Sequence, residues 1–215
     1  MERSSTGAGR RKPKRRSQRR RFLIACEGDK EVAYFKWLSK RLGGNVVLKP
    51  VQRWPAPEHV LDLALRERDA DRRSAKESGD PEDVYDGVWM VVDVDEYAHL
   101  AQALADADKA GVSGAVSGPC FEVWLILHEE DCNAAFNSAK AVKDRWAGIA
   151  GRPRTLQQEF DHVAGHLSDA ITRADALLTR HARDGIPRHK RNPSTEVGLL
   201  VRAIADASGI AVKAL

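Results

Sequence analysis

Short apolar runs alternate with longer segments of helical periodicity through the first half of the chain. Apolar residues fill positions 22–26, 46–48 and 88–92, each of which predicts a strand, and the segment 112–116 predicts a fourth. Between them, helical spacing predicts helices over 29–42, from Glu58 onward, and over 96–110. Continuous apolar runs are typical of strands buried on both faces, so this alternation predicts a parallel sheet with right-handed crossovers.

The pattern changes at Pro119, after which helical periodicity continues without a convincing strand. Helices are predicted over 120–128, 136–146, 157–167 and 170–181, and a last one from Asn192 to about 207. We therefore predict three regions: a basic arm over 1–21 that is disordered when free, an α/β core over 22–118, and a helical C-terminal part over 119–215 that packs on the core.

Charge is distributed unevenly along the chain. Residues 1–21 hold ten Lys or Arg and one Glu, a net charge of +9, which leaves 25 basic and 30 acidic residues, a net of −5, for the remainder. The arm could neutralise nucleic-acid phosphates, and its candidate contacts are Arg15, Arg16, Arg19 and Arg20. The alternative is a tail that only aids solubility or binds non-specifically.

Composition excludes some classes of protein. No apolar stretch approaches the roughly 18 residues that a membrane span requires, and the N-terminus does not have the pattern of a secretory signal. The three cysteines show no metal-ligand spacing, so we expect reduced thiols, two of them packed in the core. These features predict a cytoplasmic protein without a membrane partner.

Acidic residues follow two of the predicted strands. Glu27 comes directly after the run 22–26 and precedes Gly28, and Asp93 and Asp95 follow the run 88–92. Because ligands bind at the carboxyl ends of parallel strands, these carboxylates are candidate ligands for Mg²⁺, with Mn²⁺ as an alternative. They are also the candidate catalytic residues. The structural alternative is that Asp95 caps the next helix, which would leave Asp93 unexplained.

Two polar residues lie in the very apolar segment 120–128. Glu122 is either a further metal ligand, a residue that supports one, or the partner of an arginine, because an unpaired charge in such a run is costly. His128 lies at the end of the same predicted helix, where it would complement the helix dipole rather than bind metal.

A basic cluster precedes the last predicted helix. Asn192 and Pro193 fit the N-cap and first position of that helix, whose free amides would suit a phosphate. The candidate phosphate or nucleic-acid contacts outside the arm are Lys30, Arg188, Lys190, Arg191, Asn192, Ser194 and Thr195. The alternative is an ordinary capped helix with solvated charges.

Four segments together, 23–31, 91–95, 117–128 and 192–195, resemble the RloB-like family. Glutamate at one strand end and Asp-x-Asp at another also resembles a Toprim catalytic site. The resemblance implies a Toprim-like parallel sheet flanked by helices, with a helical C-terminal part, and metal-dependent phosphodiester chemistry in prokaryotic anti-phage defence, often beside an ATPase. One position departs from the expected pattern, since Gly118 stands where we expect asparagine before the proline.

Three functions compete at this point. The first is an Mg²⁺-dependent endonuclease that cleaves DNA or RNA, with the arm and the cluster near Lys190 holding the strand. The second is a non-catalytic nucleic-acid-binding or regulatory subunit of an ATPase-containing complex. The third, a phosphatase of the haloacid-dehalogenase type, fits poorly because Tyr97 stands where that motif has threonine or valine, and because it gives Glu27 no role.

Overall fold

The protein is built around a mixed five-stranded sheet. The structure, a computed structural model, describes residues 19–44, 46–52, 56–80, 83–94, 99–151 and 155–214. Its strands are β1 (Arg20–Cys26), β2 (Val46–Val51), β3 (Gly87–Asp93), β4 (Ser113–Gly118) and β5 (Ser194–Thr195). Their order is β2-β1-β3-β4-β5, in which the first four are parallel and β5 runs antiparallel to β4. The four strands predicted from sequence and the α/β class are thus confirmed.

Helices connect and cover the strands. They are α1 (Asp29–Arg41), α2 (Pro57–Glu77), α3 (Leu100–Ala110), α4 (Glu122–Glu129), α5 (Ala139–Ala150), α6 (Leu156–Val163), α7 (Leu167–Arg183) and α8 (Val197–Ser208). None of the helices in the described ranges is both long and apolar enough to cross a membrane. Helix α5 begins three residues later than predicted, because the Ser138 hydroxyl caps it by accepting a hydrogen bond from the backbone N–H of Ala141 at 3.2 Å.

The sheet separates two apolar cores. Alternate residues of a strand point to opposite faces, so Ile24 packs with α1 and the C-terminal helices, whereas Leu23 packs with α2 and α3. Helix α4 is buried over almost its whole length in the first of these cores. All three cysteines are unpaired and buried, one more than predicted. The predicted helical part therefore shares a core with the N-terminal strands.

The segment after the basic cluster differs from the prediction. Ser194 and Thr195 form β5, and α8 begins only at Val197, so Asn192 does not cap a helix. The Asn192 carboxamide instead accepts from the backbone N–H of Phe136 at 3.0 Å and donates to its carbonyl at 2.8 Å. The prediction missed this strand because two hydroxyl-bearing residues give no apolar run.

Candidate functional site

The ends of β1 and β3 bring Glu27 and Asp93 together. The two strands are neighbours, with Cys26 opposite Val91, and the Glu27 N–H donates to the Val91 carbonyl at 3.1 Å. The Glu27 carboxylate in turn accepts from the backbone N–H of Asp93 at 3.1 Å. This contact fixes the glutamate across the gap between the strands, where the sequence predicted that carboxylates would meet.

Asp93 carries a carboxylate oxygen that is buried and unpartnered. Its Oδ1 has no hydrogen-bond partner in the part of the chain that the structure describes. Burial raises the pKa of Asp93 well above its usual range, and the charges of Glu31, Glu27 and Glu122 act in the same direction. An ionised Asp93 therefore costs free energy here unless a cation compensates for it.

Glu122, the first residue of α4, lies beside this pair and is 5% exposed. Its Oε1 lies 3.0 Å from the Lys30 ammonium group. Burial alone would raise the pKa of Glu122, but the charge and hydrogen bond of Lys30 outweigh it and lower that pKa. Of the alternatives left open for Glu122, the ion pair is thus present, with a lysine rather than an arginine as the partner.

Lys30 is held by a second carboxylate as well. Its Nζ lies 2.8 Å from Oε1 of Glu159, and the same oxygen accepts a hydrogen bond from the Trp146 indole. Glu159, on α6, is 6% exposed, and no pattern in the sequence pointed to it. Lys30, predicted as a phosphate contact, thus forms ion pairs with two buried glutamates.

Glu31 is a further carboxylate that the sequence analysis missed. Burial raises the pKa of Glu31 to about 7, and the charges of Glu122 and Glu27 also raise it. A Cβ at position 28 would lie 2.6 Å from Oε2 of Glu31, so the carboxylate packs against the turn that Gly28 opens. In the sequence, only its spacing of four residues from Glu27 pointed to Glu31. An acid in the first turn of a helix interacts favourably with the helix dipole and needs no other explanation.

Asp95, the second aspartate of the Asp-x-Asp pattern, lies outside the described residues. Among the residues that are described, no group of three or more His, Cys, Asp or Glu side chains is placed so that it could hold a metal ion as it stands. Glu122 is already engaged by the Lys30 ammonium group at 3.0 Å. The predicted ligand set of Glu27, Asp93, Asp95 and Glu122 therefore stays a prediction.

Most of the predicted phosphate contacts near the C-terminus have partners within the protein. Arg188 forms a two-point ion pair with the buried Glu196, at 2.9 and 2.7 Å. Arg191 donates to the Ile186 carbonyl at 3.0 Å. The hydroxyls of Ser194 and Thr195 are buried, the latter bonded to Ser117 at 2.9 Å, whereas Lys190 is exposed.

The arm is described only from residue 19. Arg19 donates to the Gly44 carbonyl at 3.4 Å, and Arg20 forms an ion pair with Asp86. Arg15 and Arg16 lie outside the described residues. A nucleic-acid role for these arginines remains a prediction.

His128 does not cap α4 as predicted. It is buried, its Nδ1 lies 2.9 Å from the Trp124 carbonyl, and burial lowers its pKa to about 4, so it is neutral near pH 7. Arg173 supplies the positive charge instead, donating to the carbonyls of Leu127 and His128 at 2.7 and 2.9 Å. The sequence could not show this, because α7 comes from a distant part of the chain.

Gly118 lies where the backbone of another segment approaches β4. A Cβ at this position would lie 2.0 Å from the carbonyl oxygen of Arg191. No side chain fits there unless one of the two segments moves. The glycine that departs from the expected asparagine is therefore required by this chain's own packing.

The fold is thus an α/β sheet in which two adjacent parallel strands, β1 and β3, end beside the carboxylates of Glu27 and Asp93. A family model described as RloB-like protein matches residues 22–204, which is most of the chain. The protein therefore belongs to the RloB-like family. No curated protein and no solved structure matches the chain.

Proposed function

We propose that the protein is a metal-dependent nuclease that cleaves phosphodiester bonds in DNA or RNA. The observation that carries this proposal is the buried Oδ1 of Asp93, which has no partner among the described residues and is surrounded by like charges. A buried polar atom without a partner raises the free energy of the folded state. A cation bound there would supply the missing contact and would reduce the repulsion between the carboxylates. The resemblance of Glu27 and the Asp-x-Asp pattern to a Toprim catalytic site supports the same chemistry.

The residues present fit a hard divalent cation. Carboxylate oxygens are the donors that Mg²⁺ and Mn²⁺ prefer, and an Mg²⁺ site needs only one or two carboxylates beside water and substrate phosphate. Asp93 and Glu27 would hold the ion, together with Asp95 and, once released from Lys30, Glu122. The bound cation would supply charge neutralisation of the phosphate and a more acidic water.

The remaining residues of the site have distinct tasks in this proposal. Glu27 accepts from the Asp93 N–H, so its carboxylate has a fixed position from which to bind the cation or accept a proton. Glu31, whose pKa burial raises to about 7, can both accept and release a proton near neutral pH. The basic arm would hold the nucleic acid through its phosphates.

The family also suggests a setting for this activity. We extend the proposal to a cytoplasmic role in prokaryotic anti-phage defence, with an ATPase as partner. The support for this extension is the resemblance to RloB-like proteins and the match over residues 22–204. Copurification of the protein with an ATPase encoded nearby tests it.

Cleavage assays on labelled DNA and total RNA, with Mg²⁺, Mn²⁺ or EDTA, test the catalytic proposal. Wild type is compared with Glu27→Gln and Asp93→Asn, and Asp106→Asn is the control because that aspartate lies on α3 with its side chain 47% exposed. We expect metal-dependent cleavage that both site variants lose and the control keeps. Cleavage that survives both site substitutions would rule out this site.

One observation favours a second candidate, a nucleic-acid-binding or regulatory subunit without activity of its own. Lys30 already compensates Glu122, and the described side chains include no ready-made metal group. Salt-sensitive binding of nucleic acid, without turnover even when a neighbouring ATPase is added, would identify this role.

A further inference from the structure

Any polyanionic substrate must approach an edge of the sheet that is rich in carboxyl groups. The carboxylates of Glu27, Glu31 and Asp93 act on one another there, and Lys30 is occupied by two glutamates. A phosphodiester that enters this region is repelled unless a further cation faces it. Such a cation would lie at the rim of the cluster and would have no ion-pair partner among the residues that the structure describes.

Helix α5 packs beside the site, with one contact near each of its ends. Near its start, the Cys120 thiol, two residues before Glu122, donates to the carbonyl of Ala139 at 3.8 Å. Near its end, the Trp146 indole donates to Glu159, which holds Lys30. Positions 139 and 146 are seven residues apart and so share one face of the helix.

Lys143 lies on that same side of α5, four residues after the first contact and three before the second. It is exposed, and it forms no ion pair or hydrogen bond with any residue that the structure describes. Its charge reaches Asp93: burial and the neighbouring carboxylates raise the pKa of Asp93, and Lys143 acts against them. The other charged residues of α5 are paired elsewhere, Arg145 with Glu130 and Lys140 with Asp144.

We infer that Lys143 is a substrate-contact residue that binds a phosphate of the nucleic acid at the rim of the carboxylate cluster. This inference rests on the proposed function. Lys143 offsets the repulsion between the carboxylates and the strand, and its flexible side chain reaches the phosphate as a point charge. Lys143 contacts the phosphate backbone and not the bases, so the same contact can form with DNA and with RNA.

Lys143→Gln tests the inference, with Lys140→Gln as the matched control on the same helix and Lys143→Arg as the conservative variant. Binding of a labelled single-stranded oligonucleotide to the full chain is measured in EDTA over a salt series. Lys143→Gln should bind about threefold to tenfold more weakly and lower the slope of log K against log salt by about 0.7, the value for one phosphate contact on a single strand. Lys143→Arg should restore both, and Lys140→Gln should stay within about twofold of wild type.

Steady-state cleavage in Mg²⁺ and calorimetric titration with Mg²⁺ give two further readouts. We expect Lys143→Gln to raise KM more than it lowers kcat, and to bind Mg²⁺ at least as tightly as wild type, because a like charge near Asp93 is gone. A parallel loss of metal affinity would assign Lys143 a structural role and overturn the inference.

The two proposals fail in different ways. If wild type cleaves nucleic acid and Lys143→Gln matches Lys140→Gln in binding and KM, the inference falls and the nuclease proposal stands. If wild type neither binds nor cleaves nucleic acid, the proposed function falls and the inference falls with it.

Discussion

The ammonium group of Lys30 lies 2.8 Å from the carboxylate of Glu159, which ties α1 to α6 across 129 positions of sequence. Because Lys30 also contacts Glu122 at the start of α4, one cation holds three helices around the candidate site. Both glutamates are buried, and each would be an isolated buried charge without Lys30. The geometry of the carboxylate cluster therefore depends on a helix of the C-terminal part.

Lys30→Met should lower the free energy of unfolding by about 3 kcal/mol, because it leaves two buried carboxylates without a cation. Urea denaturation at pH 7.5 measures this, and adding Glu159→Gln to the variant should recover part of the loss. Lys36→Met, at an exposed position of the same helix, is the control and should change stability by less than about 0.5 kcal/mol. Equal stability of the two single variants would contradict the bridging role.

Glu31 should make the metal-free protein less stable as the pH rises. Burial raises the pKa of Glu31 from 4.5 to about 7, so between these values the folded state binds more protons than the unfolded state, and stability falls with increasing pH. The shift corresponds to about 3 kcal/mol at most. Urea denaturation in EDTA at pH 5 and pH 8 should show this fall, and Glu31→Gln should reduce it.

The exposed acid Glu58, in the first turn of α2, provides the control for that experiment. Glu58→Gln should keep the pH dependence of wild type. A pH dependence that Glu31→Gln leaves unchanged would assign the effect to another group, of which Asp93 is the first candidate, because burial also raises its pKa.

Gly118→Ala should destabilise the protein by about 3 kcal/mol, because its Cβ would lie 2.0 Å from the carbonyl of Arg191 and force two segments apart. Thermal unfolding measures the change. Gly148→Ala is the control, since that glycine lies inside α5 with nothing within 4 Å of the added carbon, and it should gain up to about 1 kcal/mol. If Gly118→Ala unfolds at the same temperature as wild type, β4 and the segment around Arg191 can separate without a loss of stability.

Removal of residues 1–18 should weaken nucleic-acid binding and flatten its salt dependence, because it deletes seven of the ten basic residues of the arm. Stability should not change. Removal of residues 1–21 should in addition destabilise the fold, because Arg21 lies in β1 and forms an ion pair with Asp71 at 2.6 Å. Unchanged affinity and salt slope in the shorter deletion would exclude the arm from binding.

The meeting of Glu27 and Asp93 was predictable from sequence because each ends or follows an apolar run, and the ends of parallel strands lie at one edge. The same reasoning could not find Glu159 or Glu31. Both lie in the first turns of helices, where acids are common and usually solvated, and only the packing of α1, α4 and α6 buries them.

The segment around β5 shows a second limit of sequence reasoning. Asn192 and Pro193 are good helix-start residues, yet the Asn192 carboxamide binds Phe136, and α8 begins five residues later. Local propensity was correct about which residues favour a cap and wrong about where the helix starts, because contacts with a distant segment outweighed it. The short strand contains only Ser194 and Thr195, too few residues to show a period.

Strand β5 also has a consequence for how the protein is made. The chain leaves the ribosome N-terminus first, so β4 is synthesised almost 80 residues before the strand that pairs with it. Until residues 194–195 emerge, β4 remains an open edge, and the sheet beside Asp93 lacks its last strand. We expect the carboxylate edge to reach its final form only late in translation, so that incomplete translation products do not carry a finished site.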